Sequence, residues 1–150
     1  MTQEEPWPYC LPIFRRAFTA ASPDGRLQAE ISQAYEISMS NPTIGVLKVS
    51  DGLMLKNCNP NFVWSDDSRY LAVPQLRYFL GLLFAMRLVV VDTRERLVFA
   101  SRRFTAWIQP QSFASGWLVV SVDPSGSSRE VRWEIPSDLV TFRRLTYENQ

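Results

Sequence analysis

Residues 61–73 constrain the fold more than any other stretch. Asn61-Phe62-Val63-Trp64 and Tyr70-Leu71-Ala72-Val73 are apolar runs, and Ser65-Asp66-Asp67-Ser68-Arg69 lies between them. Ser and Asp side chains bond nearby backbone groups and so favour turns over regular structure. Two apolar runs around such a turn predict a pair of antiparallel strands. The arrangement recurs. Residues 46–49 and 53–56 flank Ser50-Asp51-Gly52, and Asp-Gly suits a hairpin that needs consecutive positive φ angles. Residues 88–91 and 97–100 flank Asp92-Thr93-Arg94-Glu95-Arg96 in the same way.

The rest of the chain fits this pattern. Residues 13–19 are a candidate first strand, Ser22-Pro23-Asp24-Gly25 a tight turn, and Leu27, Ala29 and Ile31 alternate with Gln28 and Glu30 as a half-buried strand does. Residues 43–49, 104–108, 117–122 and 130–135 predict further strands, with Val131, Trp133 and Ile135 on one face. Residues 123–128 read as a turn, and the tail from Ser137 is open to a short helix or a strand. Residues 74–86 show neither helical nor strand periodicity, so a buried strand pair, a short helix and an apolar loop all remain open. Pro6, Pro8 and Pro12 make residues 1–12 an irregular arm. A chain of 150 residues fits one domain that buries about 70% of its unfolded surface. The expected fold is all-β: a single domain, residues 1–150.

A shift of 43 residues brings Ser22 onto Ser65, Asp24 onto Asp67, Arg26 onto Arg69, Ala29 onto Ala72 and Trp64 onto Trp107. The Asp51 and Arg94 hairpins fall at the same offset, and residues 117–120 stand for residues 70–73 after a short insertion. Ser22-Pro23-Asp24-Gly25-Arg26 and residues 64–72 resemble the strand-turn-strand units of WD-repeat and TolB-type propeller blades, whose period is about 40–45 residues. Closed propellers need four to eight blades. Three units therefore predict an antiparallel meander that forms an open sheet or sandwich, not a closed propeller. In layout, residues 22–135 also resemble small single-domain bacterial proteins that act as immunity partners of antagonistic toxins. That resemblance carries over no functional residue.

Chemistry is narrowly bounded. The chain has no histidine, which excludes Ser-His-Asp and Cys-His arrangements and any imidazole metal site. Asp66 and Asp67 could hold a hard cation, but consecutive turn aspartates usually bond turn amides. No glycine-rich phosphate loop is present. Cys10 and Cys58 lack metal-site spacing and read as structural free thiols. Arg102-Arg103-Phe104 with Trp107 interleaves base and aromatic as a nucleic-acid surface does, yet a strand with Arg outward and rings inward has the same pattern. A net charge of +1 favours the strand and gives no case for nucleic acid or membrane. Fourteen of the sixteen basic residues are Arg, which suits bidentate contacts at a protein interface, although a GC-rich genome yields the same excess. No catalytic residue, metal or cofactor is expected. The acidic, proline-broken N-terminus lacks the pattern of a secretory signal, so a cytoplasmic location is expected.

By elimination and resemblance, the expected function is a non-catalytic protein-binding module, an immunity protein that neutralises a toxin by direct binding. The alternatives are a self-associating structural subunit and an enzyme with a carboxylate site. The candidate partner site lies in residues 76–86, where Tyr78, Phe79 and Phe84 flank Gly81, with Arg77 and Arg87 as a polar rim. Desolvated rings carry much of the energy of protein interfaces. The competing reading is that the same run forms core strands, because apolar runs are usually buried.

Overall fold

Two neighbouring strands each bury seven consecutive residues, Tyr70 to Leu76 on one and Met86 to Asp92 on the other. Strands alternate their side chains between faces, so burial without alternation means that both faces are covered. A computed structural model shows what covers them. It describes residues 18–36, 43–81, 83–122 and 129–146. The expected arm at residues 1–12, most of the candidate first strand and the turn at residues 123–128 lie outside the described residues.

The strands are β1 (Phe18–Ala21), β2 (Gln28–Glu36), β3 (Thr43–Val49), β4 (Met54–Cys58), β5 (Val63–Trp64), β6 (Tyr70–Phe79), β7 (Leu83–Asp92), β8 (Leu97–Ala100), β9 (Ile108–Ala114), β10 (Trp117–Val122), β11 (Arg129–Glu134) and β12 (Arg143–Leu145). A short 3-10 helix, Ser137–Thr141, precedes the last. All pairings are antiparallel. One sheet has the order β1-β2-β3-β4-β6-β7-β8-β12, with β5 on the free part of the β6 edge, and a second sheet has the order β11-β10-β9. Neither sheet closes into a barrel or propeller among the described residues, so the all-β open arrangement is as expected. None of the described helices is long and apolar enough to cross a membrane.

The 43-residue repeat is a repeat in structure for its first two units but not for a third, since Trp107, matched to Trp64, lies in an irregular segment and residues 117–120 belong to a separate three-stranded sheet. Strands β1 to β4 form one four-stranded meander and β5 to β8 another, and they meet where Cys58 of β4 pairs with Gln75 of β6. Their first turns are bonded alike. Ser22 Oγ donates to Asp24 Oδ1, the Arg26 amide donates to that oxygen, and the Leu27 amide donates to Ser22 Oγ. Ser65, Asp67, Arg69 and Tyr70 repeat those three bonds. The two turns also touch, through the Asp24 amide on Ser68 Oγ and Trp64 Nε1 on the Ala20 carbonyl. The repeated residues are therefore turn-formers, and Asp67 accepts from the Arg69 amide and the Ser65 hydroxyl within its own turn. Asp66 accepts from the Ser115 amide while its own amide donates to the Phe113 carbonyl, which ties the β9–β10 hairpin to the repeat.

Two cores result, one on each face of β6 and β7. On one face Leu71, Val73, Val89 and Val91 pack with Ala29, Ile31, Leu47, Leu55 and Val98 of the outer strands. On the other, Tyr70, Ala72, Leu76, Met86, Leu88 and Val90 pack with Ile108, Phe113, Leu118 and Val120 of the small sheet. The second meander is thus the middle of three layers.

Local expectations fail in two places, and the open alternatives for the tail are resolved. Residues 104–108 are not a strand: segment 101–107 is irregular, and β9 begins at Ile108, running through Pro110. Pro110 pairs with Val120 next to a register shift on a sheet-edge strand, where a missing amide is tolerated. At the Asp51-Gly52 turn only Gly52 has positive φ, at 103°. Asp51 instead accepts the Leu53 amide with its carboxylate, so the hairpin is not built on consecutive positive φ angles. The tail is neither simply helix nor strand, since the short 3-10 turn is followed by β12.

Candidate functional site

Ten residue pairs hold β6 to β7, from Tyr70 opposite Asp92 to Phe79 opposite Leu83. The inner seven residues of each strand are sandwiched between the two cores. The outer part extends past both, and its side chains meet solvent. Of the nine large apolar residues exposed among the described residues, five are Tyr78 (45%), Phe79 (42%), Leu80 (96%), Leu83 (68%) and Phe104 (39%). They lie on this hairpin and on the loop beside it. Leu76 and Met86 are therefore core strand, residues 77–81 and 83 are exposed and residues 84–85 half-buried, so the core-strand reading holds only at the two ends of the run.

The tip is ordered by its own rings. Tyr78 opposes Phe84, with centroids 6.5 Å apart at 67°, and Phe79 meets Phe104 edge to face at 5.0 Å and 83°. Such ring pairs contribute about 0.5–1.5 kcal/mol beyond their burial. Tyr35, at the far end of β2 and itself exposed, stands beside Tyr78. Burial, and then the neighbouring Tyr35, raise the Tyr78 phenol above its ordinary pKa. At the turn, Leu80 has φ 53° and Gly81 φ 70°. A left-handed backbone costs an L-residue about 1–2 kcal/mol, and Gly or Asn adopts it far more easily. Leu80 makes good none of that cost by burial.

The sequence-predicted site residues do not all assemble here. Tyr78 and Phe79 are exposed on the hairpin, Phe84 is half-buried beneath Tyr78, and Arg77 is exposed on the flank. Arg87 is not on the rim. It is 6% exposed, and its Nε and Nη2 donate to Gln75 Oε1 at 3.0 and 2.8 Å. It belongs to the inner, two-sided part of β7, which explains the difference. Leu80, Leu83, Phe104 and Tyr35 escaped the sequence reading. Leu80 carries the signal: a hairpin turn normally takes polar residues beside its glycine, and this position is apolar. Phe104, expected from the sequence as an inward-facing strand ring, lies in the irregular segment and packs on Phe79.

No protein-family model, curated protein or solved structure matches this chain. The site rests on geometry alone. Among the described residues no three His, Cys, Asp or Glu side chains come together as a metal site would need. Cys58 is buried, and burial pushes its thiol well above the usual range, which makes it a poor nucleophile.

Proposed function

We propose that this protein is a non-catalytic protein-binding module and that the projecting end of the β6–β7 hairpin is its contact element. One observation supports this most: a bulky apolar residue, Leu80, occupies an unfavourable left-handed turn position in full solvent, at the apex of an aromatic cluster. Folding gains nothing from that choice. A partner surface that takes up Leu80, Leu83, Tyr78 and Phe79 gives it a reason, because buried apolar and aromatic anchors dominate interface energies. The ring pairs hold the anchors in place before binding, which lowers the ordering cost.

The resemblance to immunity-type proteins makes a toxin the partner class to test, with neutralisation by direct occlusion. Copurification from the source organism supplies the partner. Leu80→Ser/Leu83→Ser should fold normally, lose that partner and no longer relieve growth inhibition when the two are co-expressed. Unchanged binding by this variant contradicts the proposal, and so does a tip that only joins copies of this chain into dimers.

A further inference from the structure

The segment after β8 leaves and rejoins β7. The Ser101 amide donates to the Leu88 carbonyl, and two residues back along β7 Met86 and Thr105 exchange both backbone bonds. Arg102, Arg103 and Phe104 bulge out between these ties, beside Arg87. Arg143 of β12 stands opposite Ala100, which in turn stands opposite Val89. Arg87, Ser101, Arg102, Phe104 and Arg143 together line a half-open cleft of about 150 Å³.

The electrostatics of this cleft are one-sided. Among the described residues, no ion pair includes Arg77, Arg87, Arg102 or Arg143. The hydrogen bonds of Arg87 go to a neutral amide, Gln75, and that of Arg102 Nε to the Thr141 carbonyl. Burial, followed by the like charges of Arg77 and Arg143, lowers the Arg87 pKa to about 10, so its charge persists at neutral pH. A guanidinium nine-tenths buried with no carboxylate is a costly arrangement that an incoming anion relieves. Guanidinium forks match planar carboxylates.

We propose that this cleft receives an acidic side chain of the protein partner, with Arg87 as the buried anchor and Arg102 and Arg143 as the outer clamp. Phe104 joins it to the aromatic tip, since that ring packs on Phe79 and also lines the cleft. The inference rests on the protein-binding reading for the source of the carboxylate. The cleft itself does not depend on it.

The arginine Nε–Hε signals of labelled protein report on the cleft directly. A capped peptide, acetyl-Glu-Asp-Glu-amide, should shift the Arg87, Arg102 and Arg143 signals saturably, and acetyl-Gln-Asn-Gln-amide should not. Arg102→Ser/Arg143→Ser, which changes two exposed positions, should abolish the shift at Arg87 and weaken the copurified partner by about tenfold or more. Leu80→Ser/Leu83→Ser should lose the partner and keep the peptide shift. If that tip variant binds its partner normally, the tip reading fails while the peptide titration still judges the cleft. No saturable shift at low salt, or an equal shift at every exposed arginine, overturns the proposal. Inorganic phosphate that saturates the same signals, with partner binding unaffected in the arginine variant, makes this a small-anion site and overturns it too.

Discussion

Leu80→Asn separates stability from function at one atom-scale position. Leu80 sits at φ 53° with 96% of its surface in solvent. Losing its side chain therefore removes almost no packing from the folded monomer. Asn tolerates the left-handed region through its short polar side chain, so the variant should recover part of a strain of about 1–2 kcal/mol. A net gain of about 1 kcal/mol corresponds to about 2–4 °C in melting midpoint for a domain of this size. Partner affinity should move the other way, because burying a Leu side chain contributes about 1.5–3 kcal/mol, or roughly 10- to 150-fold. Thermal unfolding by circular dichroism and partner binding by calorimetry measure the two effects. A lower midpoint would show that Leu80 packs on this chain, and an unchanged affinity would remove it from the contact surface. Either result refutes the reasoning.

Three further outcomes follow from the same geometry. Phe79→Ala should cost about 2 kcal/mol or less, from an exposed ring and its contact with Phe104, whereas Leu76→Ala in the fully buried row below should cost about 2–5 kcal/mol. Equal losses in denaturant titrations would mean that the hairpin end is core. Gly45→Ala should destabilise by about 1–3 kcal/mol, because its Cβ would lie 2.6 Å from the Ser32 carbonyl oxygen and 2.9 Å from Ile31 Cγ2 at the β2–β3 register shift. A wild-type midpoint there would mean that the bulge opens freely. The Cys58 thiol should resist alkylation in the native protein and react on denaturation, since burial suppresses its thiolate. Mass spectrometry that finds native Cys58 modified at neutral pH contradicts the packed β4–β6 junction.

The repeat was legible because its residues act locally. Ser and Asp bond the amides of their own turn, so Ser22-Pro23-Asp24 and Ser65-Asp66-Asp67 announced their structure within a few residues. Alternation likewise revealed β2 and β11. What residues 74–86 do was not legible, because residues 74–76 and 86 are covered on both faces and lose the two-residue period that marks strands, while the apolar side chains of the exposed stretch between them imitate a core. That covering comes from β1 to β4 on one side and β9 to β11 on the other, both distant in sequence. The same cause misplaced Arg87, which lies in the two-sided part of β7 with its guanidinium on Gln75 of β6. Phe104 shows the converse: its run of basic and aromatic residues resembled a strand, but side-chain bonds from Ser101 to the Arg103 carbonyl and from Thr105 to the Trp107 carbonyl fold it into a loop.

Hydrogen exchange on the protein alone and with its copurified partner tests the central claim most directly. Partner binding should protect the amides of residues 77–85 and of the adjoining loop at 102–105, and leave β1 to β4 and β9 to β11 as they were. Protection confined to either of those outer layers, with residues 77–85 exchanging at the free rate, would contradict the assignment of the hairpin as the contact element.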